Sequence, residues 1–181
     1  MFGNRSVRHV LPLMRTAIRE VVITAEDMYG TAPGAGADPT KGVTNQSPRW
    51  RFDPDTRQGV CADVKVPVDR VPGTDLAFKF VYSIPTGPGG GNILWRLDIL
   101  VVGDGEDVSG SPTVRTVLAP ADAPNVISVS DPIVVPASEI DGKRAPVELQ
   151  LGIIRYADDA GDTDTSAADL YKVIMEYTAY V

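Results

Sequence analysis

The chain is expected to be all-β: an antiparallel, jelly-roll-like β-sandwich of about eight strands, preceded by an N-terminal arm. Three observations lead there. In the stretch Asp75–Gly105, apolar and polar residues alternate with the period of half-buried strands. Gly and Pro together account for 32 of 181 residues, which suits short strands and frequent turns. Helical periodicity is absent after residue 30, apart from one potential turn at Ser166–Leu170.

Along residues 5–22, Val7, Val10, Leu11, Met14, Ile18 and Val21 fall near helical spacing, with Arg5, Arg8, Arg15 and Arg19 largely between them. Pro12 interrupts this pattern by removing a backbone donor, so a short helix starting near Pro12 and an extended arm both remain open. Residues 1–29 are read as this arm. Residues 30–47, GTAPGAGADPTKGVTNQS, are poor in large apolar side chains and are read as a linker or long loop. The sandwich domain is then 48–181.

Its first strand candidate is Pro48–Phe52, stopped by Asp53, Pro54 and Asp55. In the second, Val60, Ala62, Val64, Val66 and Val68 alternate with Cys61, Asp63 and Lys65. In the third, Leu76, Phe78, Phe80, Tyr82 and Ile84 share one face; in the fourth, Ile93, Trp95, Leu97, Ile99 and Val101 do. The glycine run Gly87–Gly91 between them is read as a hairpin tip. It lacks the lysine and the following helix of a phosphate loop. The remaining candidates are 113–118, 126–135 broken by Pro132, 147–156 and 171–181. Two aromatic-rich faces of this length need a second sheet to cover them.

The net charge of -7 is unevenly spread. Residues 1–20 carry four arginines against Glu20 alone, a net of +3, which leaves -10 on the rest. A basic arm precedes an acidic body. Such a body argues against nucleic acid as a direct partner, because neutralising phosphates takes clustered Lys and Arg. No apolar run reaches membrane-spanning length. The start is too charged, and too broken by Pro12, for a signal peptide, so use without secretion is expected. The single cysteine, Cys61, forms no intrachain disulfide and no multi-cysteine metal site.

His9, the only histidine, lies in the arm, so no Ser-His-Asp or Cys-His set can form within the sandwich. A hydrolase would have to run on carboxylates, and no catalytic constellation is recognisable; the chain is expected to be non-enzymatic, with no cofactor. Two acidic loops are the candidates for calcium: Asp104, Glu106 and Asp107 in GDGED, and Asp158, Asp159, Asp162 and Asp164 in ADDAGDTD. Neither has EF-hand spacing, and the plainer reading is of acidic turns whose carboxylates cap backbone amides. Exposed aromatics could stack on sugars, but Tyr82, Trp95 and Tyr177 sit on alternating apolar faces and are assigned to the core.

WRFD (50–53), VPVDRVPGTDLAFKFVYSIPTG (66–87) and GNILWRLDILVVGDGEDVSG (91–110) together resemble an arrangement in virion structural proteins of tailed bacteriophages, among them head-decoration and tail-fibre-associated proteins. The resemblance spans roughly residues 48–112. It implies a structural role with no active site, a place in the virion after synthesis in the host cytoplasm, and partners among other virion proteins such as a major capsid or tail protein. Self-association as a homotrimer is the accompanying expectation. The residues expected to dock the arm are Arg5, Arg8, Leu11, Met14, Arg15, Ile18 and Arg19. The alternative reading is a carbohydrate- or receptor-binding module with exposed aromatics and an acidic loop holding calcium, and a carboxylate-based hydrolase comes third.

Overall fold

The computed structural model describes residues 14–44 and 47–181. Among the described residues eleven strands form two antiparallel sheets: β1 (Thr16–Thr24), β2 (Thr40–Thr44), β3 (Ser47–Phe52), β4 (Gln58–Lys65), β5 (Leu76–Ser83), β6 (Asn92–Val102), β7 (Thr113–Pro120), β8 (Ser128–Val129), β9 (Ile133–Val135), β10 (Glu148–Arg155) and β11 (Ala168–Tyr180). The one helix among the described residues is a single turn, α1 (Ala137–Ile140), and no helix is long and apolar enough to cross a membrane.

The pairings are nested. β6 pairs with β7, β5 with β8 and β9, β4 with β10, and β3 with β11. A long hairpin folded in this order and rolled up gives one sheet through β2, β3, β11, β5 and β8, and another in the order β4, β10, β6, β7. This is the jelly-roll arrangement of two interlocked Greek keys. β1 and β3 share one edge of β11, while β8 and β9 share one edge of β5, so the first sheet counts seven strands and the second four.

The core lies between the sheets and centres on Trp95, which is fully buried. Phe80, from the facing sheet, stacks on it at 5.4 Å between ring centres, and Phe52 meets it edge-on at 5.2 Å. Tyr82 packs at 5.9 Å and sends its hydroxyl to the Pro120 carbonyl at 2.6 Å, so its polar end is satisfied inside the core.

Four expectations are revised. β5 and β6 do not pair with each other: they lie in opposite sheets, and their apolar faces meet across the core. Gly87–Gly91 is therefore a crossover between sheets and not a hairpin tip. Its glycines have a steric reason, because the chain is squeezed between two loops. A Cβ at Gly87 would lie 1.9 Å from Ser166 Oγ, and one at Gly91 would lie 2.8 Å from the Asp164 backbone.

Of the two readings left open for the segment around Pro12, a short helix or an extended arm, the part that lies among the described residues is extended: Thr16–Thr24 is a strand paired with β11 from Thr16 opposite Tyr180 to Thr24 opposite Lys172. That stretch belongs to the sandwich sheet. Residues 30–47 are also tied to the body: Ala32 is buried, Tyr29 exchanges two backbone hydrogen bonds with Cys61, and β2 pairs with β3. Small side chains such as Ala32 and Ala35 can lie flat on a sheet, which is why a segment poor in large apolar residues still packs. Finally, Ser166–Leu170 runs into β11 and makes no helical turn.

Candidate functional site: a groove and an aliphatic face

The outer face of the four-stranded sheet is built from two cross-strand rows. Cys61, Gly152 and Asp98 stand side by side on β4, β10 and β6, and Asp63, Gln150 and Leu100 form the next row. Gly152 adds no side chain to the middle of its row, so the floor dips there. Tyr29 and Pro33 rise along the β4 side; Val108, Gly110 and Pro112, from the loop before β7, rise along the other. The groove between them has a volume of about 340 Å³, within the range of small-ligand and side-chain sites.

Its polar groups differ in how they are engaged. Asp98 is buried and accepts two bonds from the Arg96 guanidinium, the Nη2 bond at 2.7 Å. Asp63 is exposed and accepts a hydrogen bond from the Tyr29 hydroxyl. That hydrogen bond, with burial second, pushes the Tyr29 phenol up to about 12. Gln150 makes no side-chain hydrogen bond among the described residues. Burial, with Asp63 and Asp38 adding to it, pushes the Cys61 thiol up, so the thiol stays protonated at neutral pH and is a poor nucleophile.

The seven-stranded sheet has a different outer face. Its rows run Val22, Ile174, Lys79 and then Glu20, Glu176, Ala77, Val134, with Val129 opposite Val81. Ile18 is 68% exposed, Val129 52%, and Val22 and Val134 44% each. One ion pair, Lys79 to Glu176 at 2.6 Å, stands among them. β-branched side chains are expected on strands, but here four with this exposure line the two edges of one face, Ile18 and Val22 on β1 and Val129 and Val134 on β8 and β9, with Glu20, Glu176 and Lys79 between them.

The calcium candidates are engaged elsewhere. The Asp162 carboxylate is buried and accepts two bonds, of 2.9 and 2.8 Å, from the fully buried Arg155. Arg155 also donates to the Ser166 and Asp164 carbonyls, fastening the 156–166 loop to the core. Asp164 caps the Ser166 amide, Asp159 caps Gly161, and Asp158 pairs with Arg57. At the opposite end of the molecule, Glu106 binds Lys143, Asp104 lies 3.3 Å from Arg144, and Asp107 caps Ser109. Among the described residues no group of three or more potential ligands converges for a metal. The capping reading holds for Asp107, Asp159 and Asp164. The arginine partners of Asp158 and Asp162 lie roughly 100 and 7 residues away in sequence, Arg57 and Arg155, and the acidic runs gave no sign of them.

Of the docking residues, Arg5, Arg8 and Leu11 lie outside the described residues. Met14, Arg15 and Ile18 are exposed at the start of β1, and Arg19 is paired with Asp69 at 2.7 Å. Sequence reasoning missed the groove, because its floor and walls come from four separated segments. The one available signal was the unusual outward row of Cys61 and Asp63 on β4.

No family model matches the sequence, and no curated protein does. Solved structures with a similar shape include infectious bursal disease virus Gt strain, at 16% identity and a TM-score of 0.41 over 90% of this chain and 32% of that one. A family 35 carbohydrate binding module from Clostridium thermocellum aligns at 12% identity and a TM-score of 0.47, over 87% of this chain and 97% of that one. The enzymatically active domain of Bacteriophage CBA120 tailspike protein 4 aligns at 8% identity and a TM-score of 0.44, over 87% of this chain and 20% of that one. The chain thus spans about a third of the bursal disease virus protein. At these scores nothing about ligand, partner or activity passes from any of them to this chain.

Proposed function

We propose that this chain is a non-enzymatic structural subunit of a virus particle, held in place by contacts between protein surfaces. In its finer form it is a capsid-decoration or capsid- or tail-associated protein of a tailed bacteriophage, self-associating as a trimer, as the resemblance over residues 48–112 implies. The observation that supports assembly most directly is the outer face of the seven-stranded sheet, where Ile18, Val22, Val129 and Val134 stand in water along its two edges on a sandwich whose core is already complete. A surface of this kind lowers its free energy when a second protein covers it.

The test replaces Val129 and Val134 with Asp, and separately Ile18 and Val22 with Asp, in full-length protein produced beside the other particle components. Both variants are expected to fold with unchanged circular dichroism and to lose occupancy in purified particles. Wild-type occupancy for both would remove this face from assembly.

The groove favours a second reading, a carbohydrate- or receptor-binding module. Its acceptors Asp63 and Asp98, the Gln150 amide and the Tyr29 ring are groups that hold a hydroxylated ring. In this reading binding survives chelation, since the acidic loops are already bonded. Glycan-array signal lost in Tyr29→Ala, with and without chelator, is the expected outcome.

A further inference from the structure

The outer face of the four-stranded sheet uses one recognition arrangement twice. The Arg57 guanidinium lies 3.7 Å from the centre of the Tyr156 ring and donates two bonds of 2.9 Å to Asp158. The Arg96 guanidinium lies 5.0 Å from the same ring and pairs with Asp98. Each combines a phenol ring, a carboxylate and an arginine, so that cation–π attraction and charge-assisted hydrogen bonds act on one guanidinium.

The groove holds two parts of that arrangement without the third. Tyr29 and Asp63 are hydrogen-bonded to each other at the rim, and both are exposed. No basic side chain among the described residues forms an ion pair with Asp63, and none lines the groove. Lys65, next along the same strand face, borders a different hollow. Asp38 near Cys61 and Glu148 near Tyr29 add negative charge without ion-pair partners among the described residues. Beyond the polar rim, Leu100, Val108 and Pro112 form an apolar wall. The matching occupant brings a planar cation flanked by aliphatic side chains.

The chain contains such a segment. In residues 1–13 there is no acidic residue, and Arg8 stands between Val7 and His9 with Val10 and Leu11 just beyond, whereas Arg5 has the polar neighbours Asn4 and Ser6. The segment joins the sandwich at Met14, and an extended stretch of its length reaches roughly 45 Å. We infer that the groove receives residues 1–13 of a second copy, with the Arg8 guanidinium against Tyr29 and Asp63 and the neighbouring aliphatic residues on Leu100, Val108 and Pro112. The contact is head-to-tail, arm of one copy into groove of the next, which closes into a ring when the rotation allows. This rests on the assembly reading above and names the site that the arm occupies.

The test is sedimentation velocity on full-length protein, with circular dichroism as the fold control. Asp63→Arg and Arg8→Asp are each expected to weaken self-association about tenfold or more, the range for an arginine anchor in a pocket. Asp63→Asn, a milder change at an exposed position, is expected to weaken it in the same direction. Carrying both reversals in one chain is expected to restore it. Mixing the Asp63→Arg protein with the Arg8→Asp protein is also expected to restore it, because the arm of each then meets a complementary groove on the other. If Asp63→Arg associates like wild type, the groove is not the arm's site, while the assembly reading stands. Recovery in the doubly reversed chain but not in the mixture would mean that the arm fills its own groove, which overturns the proposal. A wild-type chain that is monomeric at all concentrations and absent from particles overturns the assembly reading itself, and this proposal with it.

Discussion

Tyr29 carries the most direct consequence at the scale of a single residue. Its phenol has an ordinary value of 10.0 and is pushed up to about 12 in the fold, chiefly because the neutral hydroxyl donates to Asp63. The folded state therefore favours the protonated form. The contribution to stability is complete below pH 10 and disappears as pH rises through about 12. In a spectrophotometric titration, Tyr29 should ionise after the ordinary tyrosines, and Asp63→Asn should bring it back toward them. Early ionisation of Tyr29 in the wild type would mean that the bond to Asp63 does not persist in solution. Single residues of the core were legible from sequence, since burial of Phe80, Tyr82 and Trp95 follows from their place on alternating faces. The Tyr29–Asp63 pair was not, because residues 34 apart acquire a relation only when the 29–33 loop is laid along β4.

At the scale of an element, the 156–166 loop depends on Arg155, a charge with no exposed surface at the end of β10. Four hydrogen bonds tie its guanidinium to Asp162 and to two loop carbonyls. Replacing Arg155 with Met leaves the Asp162 carboxylate buried without its partner and is expected to cost about 3–5 kcal/mol in urea unfolding. Replacing both, Arg155→Met with Asp162→Asn, is expected to cost less, because no lone charge remains; an equal or greater cost would show that the carbonyl contacts dominate. Strands as elements were largely readable, but their partners were not. Period-2 alternation reports which residues of β5 and β6 face the core and says nothing of which sheet each joins, so a glycine-rich crossover between sheets has the composition of a hairpin. β1 was hidden for another reason. Val21 and Ile23 point inward while Ile18 and Val22 point outward, so both faces carry aliphatic residues and the alternation that marks a strand is lost.

On the scale of the whole molecule, nested pairing places the first described strand beside the last. β1 and β11 run antiparallel, with Thr16 opposite Tyr180 and the Val181 amide donating to the Arg15 carbonyl at 3.0 Å. Hydrogen bonds in such a pair lie across the strands. A load applied at these two ends pulls along those bonds and meets them in succession, opening β1 from β11 like a zipper. By contrast, a load between Met14 and the loop ahead of Ala168 pulls β1 and β11 along their length in opposite directions and strains many bonds together. Single-molecule pulling should therefore record a lower rupture force from the terminal pair of attachment points than from the second, and the reverse order would contradict the β1–β11 register. Anchored through its ends, this sandwich would yield gradually from that seam; gripped through its faces, it would behave as a stiff block.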